Sequence, residues 1–136
     1  MAKLTVRMKE IFSKQEIFVL GTADVEGIPN AVPVGAVKLL DDETILISDQ
    51  YFLKTSKNLR VNPKVAISFW DMGEGYQVKG EATIQTEGRI YEDTVEWIRD
   101  LSERIGHPLK SKGAIVVKIK EIYSVSPGPN AGQRIA

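Results

Sequence analysis

The sequence predicts a mainly β protein: a six-stranded antiparallel sheet closed or half closed into a barrel, with a few helices. Three observations lead there. Tyr76, Val78, Gly80, Ala82 and Ile84 alternate strictly with Gln77, Lys79, Glu81, Thr83 and Gln85, the pattern of a strand with one buried and one wet face. Turn residues at Asp24–Gly27, Asp41–Asp42 and Gly73–Gly75 separate apolar runs by hairpin-length links. Helical spacing is confined to three segments.

The elements follow in order. Leu4, Met8, Ile11 and Phe12 make one face of a short amphipathic helix. EIFVLGTA (16–23) is the first strand and IPNAVPVGAVKLL (28–40) a long second one. Pro33 and Gly35 disturb regular pairing in that strand, so a bulge or a close backbone approach belongs there. ETILIS (43–48) is the third strand. Residues from about Leu53 to Val61 form a short helix, stopped at Asn62-Pro63 because the residue before proline avoids helical geometry. KVAISFW (64–70) and the alternating run are strands four and five. Ile90, Thr94, Trp97, Ile98, Leu101 and Ile105 line one face of a helix over 89–105, closed by Gly106 and Pro108. GAIVVKIKEIYSV (113–125) is the sixth strand, and the Pro/Gly-rich SPGPNAGQRIA reads as an irregular tail.

At 136 residues and 43% hydrophobic content the chain is expected to form a single domain, residues 1–136, with one core. Zero net charge argues against a surface given over to nucleic acid or membrane. The absence of cysteine removes disulfides, thiol nucleophiles and thiolate metal sites, and suits a cytoplasmic location. No run approaches the length of a membrane span, and the N-terminus lacks the unbroken apolar segment of a signal peptide.

Side-chain chemistry is sparse. The lone histidine, His107, sits beside Pro108 at a helix end without the acid or metal-ligand partners that a triad or zinc site needs. Neither a GxxxxGK[ST] loop nor a GxGxxG fingerprint occurs. Asp41-Asp42 reads as a hairpin tip. Hard chemistry in such a chain falls to a cofactor.

One stretch is chemically distinctive. No acid lies between Asp49 and Asp71, yet Lys54, Lys57, Arg60 and Lys64 fall in that gap. Lys54 and Lys57 share a helix face, and Thr55 lies in the first turn, where free backbone N–H groups attract anions. A phosphate docked between Ser48-Asp49 and this turn is one reading; a solvated basic helix face is the other.

The order of a strand with PNAVPVG, a strand ending in ILISD, and then LKTSKNLRVNPKV (53–65) resembles the pyridoxamine 5'-phosphate oxidase-like family of FMN-binding split barrels, and in size its small FMN-binding and flavoredoxin-like members. The resemblance implies a six-stranded split barrel, a homodimer with flavin at the subunit interface, and FMN as cofactor. By position, Lys54 and Thr55 match the pair that binds the FMN phosphate, with Lys57 an extra charge. Ser48 and Asp49 match residues lining the ribityl chain and phosphate. Val32, Pro33 and Val34 match the strand whose backbone runs along the isoalloxazine, and Trp70 and Gln77 would reach the flavin from the second subunit. Val32 stands where pyridoxamine 5'-phosphate oxidase itself has arginine, and Arg134 alone does not restore that enzyme's basic C-terminal motif. The expectation is therefore an FMN-dependent oxidoreductase with a small-molecule or redox-protein electron donor. A non-catalytic flavin carrier and a deazaflavin- or haem-binding barrel are alternatives. A third reading, a small single-strand nucleic-acid-binding barrel, rests on Tyr51 and Phe52 among the cations, and the neutral charge counts against it.

Overall fold

The computed structural model describes residues 2–136. In chain order the elements are α1 (Val6–Lys14), β1 (Phe18–Ala23), β2 (Pro29–Val34), β3 (Val37–Asp41), β4 (Thr44–Asp49), α2 (Lys54–Val61), β5 (Lys64–Asp71), β6 (Glu74–Gln85), α3 (Arg89–Ile105) and β7 (Gly113–Ser124). All seven strands join one antiparallel sheet in the order β2-β1-β5-β6-β7-β4-β3.

The two end strands of that order, β2 and β3, are separated in sequence only by Gly35 and Ala36. Three Cα steps reach at most about 11 Å, so the two edges of the sheet must lie side by side. The sheet is thus curled into a barrel split between β2 and β3, in agreement with the expected fold class. It has seven strands rather than six, because the run expected as one strand over 28–40 is two. Its first half pairs with β1 and its second with β4. The break falls at the anticipated Pro33/Gly35 distortion. The Val37 N–H donates to the Gly35 carbonyl at 3.1 Å, and the Ser48 N–H donates to the Ala36 carbonyl at 3.0 Å. Pro29 and Pro33, which have no N–H to give, are tolerated because β2 is a sheet edge.

Inward-facing Phe18, Leu20, Ile45, Ile47, Ile67, Phe69, Val78, Ile115, Val117 and Ile122 fill the barrel. Helix α1 contributes Met8, Ile11 and Phe12 to the same core, with Phe12 packed at 4.6 Å from Phe18 and 5.3 Å from Phe69, ring centre to ring centre. The Thr5 hydroxyl caps this helix by accepting from the Met8 N–H at 3.2 Å. Helix α3 lies outside, where Ile90 and Trp97 cover Leu46, Ala114 and Val116. That second layer explains why every residue of β4 is buried. Ile105, expected on the apolar face of α3, is exposed in the last turn before Gly106 ends the helix in the left-handed region. The tail folds back on β7: the Ile135 N–H donates to the Ile122 carbonyl at 2.8 Å, and Arg134 pairs with Glu121 at 3.3 Å. Among the described residues no helix is long and apolar enough to cross a membrane.

Two tests follow from this packing. The β6–β7 register shifts at Lys79/Gly80, and a Cβ on Gly80 would overlap the Lys118 carbonyl oxygen. Gly80→Ala is expected to cost about 1–3 kcal/mol through this backbone clash, read as a lowered melting temperature. Separately, Arg7 on α1 pairs with Glu74 of β6 at 2.8 Å, and that hydrogen bond, followed by one from Tyr76, holds the Glu74 carboxyl below its usual range. A lowered carboxyl stabilises the fold above the unfolded pKa of about 4.3, and the contribution fades on acidification through the folded value. Arg7→Gln should flatten the decline of melting temperature below about pH 4 relative to the parent.

Candidate functional site

Two clefts flank the split. Both are bounded by β2 on one side and by the segment from Ser48 through α2 on the other. The first, about 260 Å³, is lined by residues 32–36, Ser48 and residues 50–52. The second, about 320 Å³, is lined by Asn30, Lys54, Lys57 and Asn58 among others. β2 and the Ser48–Thr55 segment run side by side in opposite directions. The Asn30 amide meets the Thr55 hydroxyl at 3.1 Å, and the Ala36 carbonyl accepts from the Ser48 N–H where the β3–β4 pairing begins. Residues 30–36 span about 20 Å of extended chain, so the clefts follow one another along a single track.

The second cleft is cationic for local reasons. Helix α2 begins after Leu53 without a capping side chain and without an acid in its first turn. Its first N–H groups are therefore free to meet an anion. Lys54, Lys57, Arg60 and Lys64 form no ion pair among the described residues. Lys54 and Asn58 lie one helical turn apart, which brings lysine and amide to the same cleft. Asp24, the one acid in the wall, is occupied in its own turn, accepting from the Glu26 and Ile28 N–H groups at 2.9 Å each.

Thr55 takes a different position from Lys54. It is buried, and its hydroxyl accepts from Asn30, whose amide also reaches Thr22 at 3.3 Å. Asn58 donates to the same Thr22 hydroxyl at 3.0 Å. This network fastens the start of α2 to β1 and β2, so Thr55 offers an anion its backbone N–H in the first turn while its side chain fixes the helix. Asp49 is likewise turned to structure. Its carboxylate accepts from the Phe52 N–H at 2.9 Å and lies 3.7 Å from the Lys112 ammonium. Lys112 also donates to the Phe52 carbonyl at 2.9 Å, and together these contacts shape the loop that carries the first cleft.

That first cleft is mostly apolar. Val32, Pro33 and Val34 lie in its wall, as does Ser48, whose hydroxyl is bonded to Ser111 at 2.8 Å. Gln50, Tyr51 and Phe52 complete it. The sequence singles out Tyr51 and Phe52 only as aromatics among the cations, and does not single out Gln50, Asn30 or Asn58. The i, i+4 spacing of Lys54 and Asn58 could have indicated the latter. Gln50 carries no such signal, because its place depends on β2 lying alongside the loop after β4.

Trp70 and Gln77 line neither cleft. Pro33, Val19, Ser68, Gln77 and Tyr123 stand in one register row across five strands, on the face opposite the inward-pointing core residues. Trp70, 48% exposed, belongs to the same outer face near the end of β5. The neighbouring row holds Ala31, Gly21 and Ala66 before it reaches Lys79 and Glu121, so the centre of this face is low and open, a shallow cleft of about 630 Å³ beside Lys64 and Lys79.

Comparison with known proteins agrees with this architecture. Residues 4–126 match the profile of the pyridoxamine 5'-phosphate oxidase family. The chain is 37% identical to an uncharacterized protein, MJ0282, of Methanocaldococcus jannaschii, over 98% of this chain and 89% of that one. Among solved structures it is similar to HupZ of Group A Streptococcus, with 30% identity, a TM-score of 0.81, and coverage of 95% of this chain and 99% of that one. An FMN-binding protein of Syntrophomonas wolfei shares the fold at 24% identity and a TM-score of 0.70, over 85% of this chain and 81% of that one. The match covers nearly the whole chain, so the chain belongs to the pyridoxamine 5'-phosphate oxidase family.

Proposed function

We propose that this chain binds FMN along the β2–α2 track and serves as an FMN-dependent oxidoreductase. The observation that carries this reading is the uncapped, acid-free start of α2, with Lys54 and Lys57, at one end of a track whose other end is an apolar cleft under Val32–Val34. The residues suit the cofactor's two unlike ends. A phosphate dianion meets two ammonium groups and the first-turn N–H groups, and a flat ring meets extended backbone, Val34 and Phe52. When bound, FMN supplies hydride or electron transfer at N5 of its ring. The chain's own residues hold the phosphate, orient the ring along β2 and exclude water from one of its faces.

The single chain leaves the ring's other face open. A cleft of about 260 Å³ is smaller than the roughly 300–1,000 Å³ typical of sites that enclose a whole ligand. We propose that a second copy covers it, docking through the flat outer face that carries Val19, Ala31, Ala66 and Ser68. Trp70 and Gln77 would then reach the flavin from the partner. Pyridoxamine 5'-phosphate is not the proposed substrate: Val32 brings no cation to the ring, and Arg134 is paired with Glu121 of β7. The electron donor on this reading is a small molecule or a redox protein.

Purified protein should be yellow or take up FMN in a fluorescence titration. Lys54→Ala should weaken FMN by about tenfold or more, in line with the loss of a charge-assisted hydrogen bond, and leave riboflavin nearly unchanged. Equal loss for both ligands would place the phosphate elsewhere. Sedimentation should give a dimer, and Ala66→Arg should yield monomers with reduced FMN affinity. A dimer that persists in Ala66→Arg with its flavin intact would refute the outer-face interface.

A further inference from the structure

Two side-chain amides meet in the cationic cleft, Asn30 from β2 and Asn58 from α2. Their nitrogens are already spent. The Asn30 nitrogen donates to the Thr22 and Thr55 hydroxyls at 3.3 and 3.1 Å, and the Asn58 nitrogen donates to Thr22 at 3.0 Å. These lengths suit N–H donors, because a hydroxyl donating to an amide oxygen would sit closer, at about 2.7–2.8 Å. Thr22 and Thr55 are buried, so both amides are pinned from behind. Neither amide oxygen accepts a hydrogen bond within the chain, and neither is sealed. Both residues are half-buried, and among the described residues only the Gln50 side-chain oxygen is buried without a partner. With nitrogen held inward, each amide presents its oxygen to the cleft.

The two oxygens stand where the clefts join. Asn30, Val32 and Val34 share one face of β2, and Asn30 lies two residues, about 7 Å of extended chain, from Val32 in the wall of the apolar cleft. Asn58 lies one helical turn beyond Lys54. An amide oxygen only accepts, so it adds nothing to the grip on a phosphate dianion, whose oxygens also accept. It calls for a donor on the part of the ligand next to the anion. We propose that Asn30 and Asn58 are specificity-determining residues of the cleft, their amide oxygens accepting from the secondary hydroxyls of the polyol chain that joins a flavin ring to its phosphate. This rests on the reading of the β2–α2 track as an FMN site. The pair selects a phosphorylated polyol over an equally anionic ligand with a hydrocarbon linker. Haem carries its carboxylates on bare methylenes and offers no such donor.

The test compares FMN with a flavin of the same ring and phosphate whose five-carbon N10 chain bears no hydroxyl. The parent should prefer FMN by about tenfold, the scale of one or two hydrogen bonds. Asn58→Leu should cut that preference to about threefold or less while holding the affinity for the hydroxyl-free analogue within about twofold of the parent. Thr22→Val loses the internal bonds but keeps both amides, and should retain most of the preference. An equal loss of both ligands in Asn58→Leu would mean that the amide only braces α2, and would overturn the assignment. So would a Thr22→Val variant that loses the preference as fully as Asn58→Leu. The comparison on the parent does not depend on any variant folding. If the parent binds both ligands equally and through Lys54, the amide assignment alone fails. If it binds neither, the flavin reading fails with it.

Discussion

A two-residue connection governs the architecture. β2 and β3 sit at opposite ends of the hydrogen-bonded order, and Gly35-Ala36 leaves no slack between them. The sheet must therefore close on itself, and the closure is not seamless: β2 pairs with β1 alone and β3 with β4 alone, and Pro29 and Pro33 leave β2 short of N–H donors for a second partner. The Ser48 N–H to Ala36 carbonyl bond extends the β3–β4 pairing up to this seam, and the proposed ligand track lies along it. An open twisted sheet of the same strands would leave both edges unpaired and would carry no such cleft.

The seam also determines which side chains are structural and which are available. Asp49, Thr55, Thr22 and Asn30 are polar and buried or partly buried, and each is bonded within the chain. They hold α2 and its preceding loop against β2. Lys54 and Lys57, on the exposed side of α2, remain unpaired. A rigid frame of satisfied groups surrounding a few unsatisfied ones is what a preorganised binding site requires, since the ligand then completes bonds without the protein having to rearrange.

The outer face of β2-β1-β5-β6 has a related asymmetry. Gly21, Ala31 and Ala66 keep its centre flat, while Lys64, Lys79 and Glu81 gather at one end and Trp70 at the other. Small residues leave room for another sheet or a planar ligand to approach the backbone. The charges at one end favour a single orientation of approach.

Local sequence determined most of the elements. The bounds of α3 match the predicted 89–105, because its apolar stripe repeats at helical spacing and Gly106 supplies a left-handed stop. Strict alternation located β6, Asn62-Pro63 ended α2, and the run of lysines without acids identified the one cationic surface worth pursuing. Each of these signals acts within a few residues. Tertiary structure decided what depends on distant segments meeting. The strand expected over 28–40 became two because its halves have different partners, β1 and β4, which no local pattern records. Thr55 turned from ligand-facing hydroxyl to buried strut because Asn30 lies 3.1 Å away across 25 residues of sequence. Gln50 entered the cleft only because the seam brought β2 alongside its loop. Local propensity and periodicity choose elements; pairing and burial choose which of their side chains remain free to bind something else.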